Sequence, residues 1–146
     1  VQVAGRRGLG VMAHANGARA IADAVAAGVR SIEHGFFMTG EALAEMAKRR
    51  TFWVPTVGAL RRAADGASLG KAMRRSIDDT IDRHLEQLGR AYALGVPLAV
   101  GTDAVLPDRR YRGWYKGVLT VFRKAGIPSD AVERIATDGG RQLTVR

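Results

Sequence analysis

Short apolar runs alternate along the chain with longer segments whose apolar residues recur every three or four positions. The short, largely apolar runs read as strands buried on both faces; the recurring pattern reads as helices packed on them. Val1 to Arg7 reads as the tail of a helix stopped by Gly8, and Leu9 to Ala13 as a strand. Gly17 to Ala27 is alanine-rich and helical, closed by Gly28, and Val29 to Glu33 is the next strand. Thr39 offers a helix cap with Glu41 in the first turn, for a helix reaching Arg50. Thr51 to Val54 forms a third strand, ended by Pro55.

The second half is less regular. Gly58 to Gly70 reads as irregular. A long helix is expected from Leu69 to Leu94, with Met73, Ile77, Ile81, Leu85, Leu88 and Tyr92 as one apolar stripe. Gly95 ends it, and Val96 to Gly101 is the expected fourth strand. Asp103 to Arg112 reads as a polar loop, Trp114 to Lys124 as a helix, and Ser129 as the cap of a last short helix ending at Thr137. No linker or low-complexity tract divides the chain, so residues 1–146 form one segment.

The resulting βαβα order predicts an α/β fold with about four parallel strands and intervening helices. Four such units are half of a TIM-type βα barrel, which takes ~250 residues when complete. An open doubly wound sheet is the competing architecture, but no glycine-rich phosphate loop is present to support it.

Strand ends carry the candidate chemistry. Two histidines twenty residues apart close adjacent strands, in Met12-Ala13-His14-Ala15-Asn16-Gly17 and Ser31-Ile32-Glu33-His34-Gly35. The fourth expected strand runs into Gly101-Thr102-Asp103. In a barrel the C-terminal ends of the strands line one pocket, so His14, His34 and Asp103 are candidate metal ligands, and Asp103 is also a candidate proton carrier. Imidazole and carboxylate suit zinc and similar divalent ions. Each residue also has a plainer reading: a hydrogen-bonded core histidine, or an aspartate capping a turn. Glu33 is expected to point away from the pocket by strand alternation. His84 reads as structural within the long helix, Asn16 as a donor behind His14, and Trp53, Trp114 and Tyr115 as packing groups, with a pocket-wall role open to Trp114 and Tyr115 because they follow closely on Asp103.

Composition narrows the classes. Hydrophobic residues make up 47% of the chain, and no apolar run approaches a membrane span. The absence of cysteine excludes disulfides and thiolate chemistry and fits a cytoplasmic protein. The formal charge of +9 is carried largely by scattered arginine doublets such as Arg6-Arg7, Arg61-Arg62 and Arg109-Arg110, which read as solvated helix faces, so nucleic acid is not the expected partner.

Three segments together, AHANGARAIADAVAAGVRSIEHG, FWVPT and AYALGVPLAVGTDA, resemble the metal-dependent amidohydrolase superfamily, in its imidazolonepropionase-like and prolidase-like branch. AGIPSDAVERIAT resembles the helices after that family's final barrel strand. The resemblance implies a distorted eight-stranded barrel whose fifth and sixth strands supply His14 and His34 as metal ligands. Its eighth strand supplies Asp103 as ligand and proton shuttle. It further implies hydrolysis of C–N bonds in amide, cyclic amide or peptide-like small molecules, with one or two divalent ions, zinc first among them. The family's His-x-His pair and its carboxylated lysine have no counterpart here, and its Asn-Pro-Ala step reads Asp138-Gly139-Gly140. The expectation is therefore the C-terminal half of a barrel, cut inside the fourth helix. Such a half is expected to show little or no hydrolysis alone, being inactive without the N-terminal half, and to pair with that missing half or with itself. A basic binding module or an inactive barrel remnant are the alternatives.

Overall fold

The computed structural model describes residues 1–104 and 111–144. It is an α/β structure with a three-stranded parallel sheet in the order β1 (Met12–Ala15), β2 (Ser31–His34), β3 (Phe52–Val54). Helices α1 (Gln2–Arg6), α2 (Ala18–Ala26) and α3 (Gly40–Arg49) precede or link these strands. Helices α4 (Val57–Gly66) and α5 (Lys71–Ala93) follow β3, and α6 (Tyr111–Lys124), α7 (Ser129–Arg134) and α8 (Gly140–Thr144) complete the order.

The expected fourth strand contributes a single bridge, Trp53 to Leu98, and not a ladder. Trp53 donates its N–H to Pro97 O and accepts from Ala99 N–H at its own carbonyl. The next donor along β3 on this side would be residue 55, which is proline and has no N–H. The preceding one, Thr51 N–H, is already bonded to Met46 O at the end of α3. Pairing is therefore limited to one step from both directions.

Strand register divides the sheet into two faces. Ala13, Ile32 and Trp53 lie side by side on one, with Leu98 bridged to Trp53. This is the helix-covered face, where Ile32 and Trp53 are fully buried with Ile21, Val25, Leu43, Met46 and Leu88. Met12, Ser31 and Phe52 share the other face, as do His14, Glu33 and Val54. There Phe52, Val54 and Ala99 form a small second cluster against Leu143 of α8.

Several boundaries differ from expectation. Residues 57–66 are helical instead of irregular. The buried line of α5 is His84, Leu88 and Ala91, while Met73 and Tyr92 at the ends of the expected stripe are exposed. Thr39 caps α3, accepting from Ala42 N–H at 3.2 Å. Ser129 does not cap α7, whose cap position is Pro128. The last helical stretch runs past Thr137 through a π turn, Ile135–Gly139, into α8. Gly139 lets this turn pack directly on the chain at Leu98, because a Cβ there would clash with Leu98 O. Of the expected polar loop, Tyr111 and Arg112 belong to α6, and residues 105–110 lie outside the described residues.

Candidate functional site

β1 and β2 each run one or two residues beyond their expected ends, so His14 and His34 lie within the strands. His14 and Glu33 are in register, and alternation places their side chains on the same face. Glu33 thus faces the candidate site and not the helices, correcting the expectation from alternation counted one strand at a time. His34, next in β2, would by the same rule point the other way. Its backbone instead adopts φ 67, in the left-handed region, which breaks the alternation. The rings of His14 and His34 meet edge to face with centroids 4.3 Å apart.

Gly35 continues the turn with φ 70, and a Cβ there would come within 2.5 Å of Trp53 Nε1. That indole nitrogen donates to His34 O at 2.9 Å, so the buried Trp53 pins the backbone that turns the histidine. On the imidazole itself, Nδ1 is hydrogen-bonded to Thr56 Oγ1 at 2.6 Å. Thr56 is buried immediately beyond β3. The bond orients the ring and commits Nδ1, leaving Nε2 for another ligand.

Asn16 ties the β1 end to the β2 turn. Its Oδ1 accepts from Phe36 N–H at 2.9 Å, Gly17 N–H donates to Phe36 O, and Asn16 Nδ2 stands 3.5 Å from His14 Nε2. Thr56 is a site residue that sequence reasoning passed over, and Glu33 is one that it placed on the wrong face. The signal for Thr56 was its place two residues after β3, where Pro55 ends pairing and the chain turns over the strand ends.

Charges at the site are coupled. Burial holds His34 below the ordinary imidazole range; nearby His14 adds to this and the Asp103 carboxylate opposes it. Burial raises Glu33, partly offset by the hydrogen bond from Ser31 Oγ to Glu33 Oε1 at 2.6 Å. Asp103 is exposed and, like His34, sits in the left-handed region, with φ 50. Two of the three candidate ligands thus owe their orientation to backbone that non-glycine residues seldom adopt.

The donor types fit a divalent ion: two adjoining imidazoles, one with a committed Nδ1, and a carboxylate whose field reaches His34. Among the described residues no three such side chains close into one metal-holding group. The residues present are therefore part of a site and not a full cage. His84 is not among them. It is buried against Phe36 and Trp53, with ring centroids 4.4 and 5.0 Å away, and burial pushes it down to about 4, with His34 adding to the effect. No helix among the described residues is long and apolar enough to cross a membrane.

Three solved structures superpose on nearly the whole of this chain. A Xaa-Pro dipeptidase with bound methionine superposes with a TM-score of 0.76 at 28% identity, over 97% of this chain and 36% of its own. A prolidase complexed with N-methylphosphonate-L-proline gives 0.77 at 26%, over 98% and 35%. An Aspergillus niger ochratoxinase gives 0.83 at 24%, over 98% and 32%, a likeness of fold alone. The chain spans about a third of the length of these structures. No curated protein matches it significantly in sequence. The family model for the Amidohydrolase family matches residues 1–137, nearly the whole chain, and the chain belongs to that family.

Proposed function

We propose that this chain is one side of the active site of a metal-dependent hydrolase that cleaves C–N bonds in amide, cyclic amide or peptide-like small molecules. The observation that carries the reading is the His14–His34 pair, two strand-end imidazoles with centroids 4.3 Å apart, one anchored through Nδ1 to Thr56. His14 and His34 would hold a divalent ion, zinc best matching the donors, with Asp103 at its edge or on a second ion. The ion, when bound, supplies Lewis-acid chemistry that polarises a carbonyl and makes water a stronger acid. Asp103 would accept the proton of the attacking water at a carboxylate oxygen and return it to the leaving nitrogen. Thr56 and Trp53 hold His34 in place throughout.

The other ligands would come from the rest of a barrel, so the chain alone binds metal weakly and hydrolyses little. The same incompleteness motivates a partner. Among the described residues β1 pairs only with β2, and Met12 is 60% exposed on the site face. An open edge beside apolar surface invites pairing with the remaining strands or, without them, with a second copy.

Zinc titration at neutral pH, followed by calorimetry, tests the metal reading. Weak binding lost in His14→Ala and in His34→Ala is expected. No binding at millimolar zinc would remove the reading, and tight stoichiometric binding would overturn its incomplete character.

A further inference from the structure

The neighbouring arginines Arg61 and Arg62 have different surroundings. Arg61 turns outward and pairs with Asp65 and Asp78 on the surface. Arg62 turns inward: its Nη2 donates to Thr102 O at 2.6 Å, and its guanidinium carbon lies 4.5 Å from the centre of the Trp114 ring. It thereby joins α4, α6 and the backbone immediately before Asp103.

We propose that Arg62 is a positioning residue for Asp103, acting through the Thr102 carbonyl. The inference rests on the metal-hydrolase reading and extends it to a residue outside the ligand set. Thr102 O and Asp103 N belong to one peptide plane. Fixing that oxygen fixes the plane against which the φ of Asp103 is measured. Asp103 holds φ 50, a conformation that needs support from its surroundings in a residue with a side chain. Thr102 is buried, so its carbonyl is held in a fixed environment. Trp114 confines the planar guanidinium from above, a role lysine does not fill, since its ammonium neither stacks nor presents a fork.

Charge gives the test its direction. A cation beside a metal site repels the metal, so removing Arg62 would by charge alone tighten metal binding. A positioning role predicts the opposite.

Cobalt(II) is titrated into the whole chain while paramagnetic effects on the His14 and His34 ring resonances are followed by NMR. Arg62→Met is expected to weaken cobalt binding roughly tenfold, the usual scale for losing support behind a ligand. Arg62→Lys is expected to fall between, and serves if the methionine variant fails to fold. Asp103→Asn should weaken binding too, and adding Arg62→Met to it should cost nothing more, because both act on one group. Unchanged or tighter binding in Arg62→Met overturns the inference. So does an equal loss from Arg62→Met with and without Asp103, which marks general loosening. Absence of cobalt binding by the unaltered chain sinks the metal reading itself, and this inference with it.

Discussion

His14 and Glu33 stand in register on one face of adjacent parallel strands, while His34, the residue after Glu33, reaches the same site only because its backbone turns into the left-handed region. The imidazole pair is therefore produced by a turn at the end of β2 and not by strand alternation. What holds that turn sets the geometry of the site.

Gly35 is the first support. It has φ 70, and a methyl group there would meet Trp53 Nε1 at 2.5 Å and Met38 Cε at 2.8 Å. Gly35→Ala combines left-handed strain with a clash against a fully buried indole. We expect a loss of about 3 kcal/mol, read as a lowered denaturation midpoint. Gly17→Ala is the control, since φ is 85 there but nothing lies within 4 Å, and it should cost less. Equal losses would show that packing against Trp53 contributes nothing.

Thr56 is the second. Thr56→Val keeps the shape and removes the hydroxyl that meets His34 Nδ1. Stability should fall by about 1 kcal/mol, the scale of one hydrogen bond. Zinc affinity should fall roughly tenfold as the ring loses its anchor. Thr56→Ser, which restores the oxygen, should recover most of the affinity. A valine variant that binds zinc as the parent does would show that His34 needs no such anchor.

These supports mark where sequence reading ends. Strand and helix order, the Thr39 cap and the two histidines are local matters, and short apolar runs closed by glycine reveal them. The face of Glu33 was not legible, because it depends on where β2 stops and how β1 is aligned with it. The fourth strand failed for a reason visible only once its neighbour is known: Pro55 sits where a donor is needed. Thr56 carried no periodic signal at all, and its role comes from a bond spanning 22 residues of sequence. The line His84, Leu88, Ala91 was hidden because a histidine reads as polar, whereas here it packs as an aromatic ring.

Arg30 makes a testable link between distant parts of the chain. Its Nε donates to Leu143 O at 2.7 Å and its Nη2 to Gln142 O, capping the end of α8. The clamp seats Leu143 on Phe52, Val54 and Ala99. In Arg30→Met, amide hydrogen exchange over residues 140–144 should accelerate about tenfold or more, as one to two hydrogen bonds are lost locally. Exchange in β2 should change much less. Unchanged protection of α8 would show that packing of Leu143 alone holds the helix.

His84 gives the fold a pH dependence whose direction is fixed by burial. Its ordinary value of 6.5 applies to the unfolded chain, and in the fold burial pushes it down to about 4. Between these values the unfolded chain binds the extra proton, so stability rises with pH across this window and is lost as pH falls through it. A shift of this size corresponds to about 3 kcal/mol over the whole window. The effect should appear in denaturation midpoints measured from pH 7 down to 4. Replacing the ring by an apolar one, His84→Phe, keeps the contacts with Phe36 and Trp53 and removes the titrating group. The variant should show a flatter pH profile and be at least as stable at acid pH, because it also removes the unpartnered Nε2. An unaltered slope in His84→Phe would move the pH dependence to another group that burial lowers, with His34 as the next source. Glu33 is not that source, since a carboxylate raised by burial favours the folded state as pH falls and gives a slope of the opposite sign.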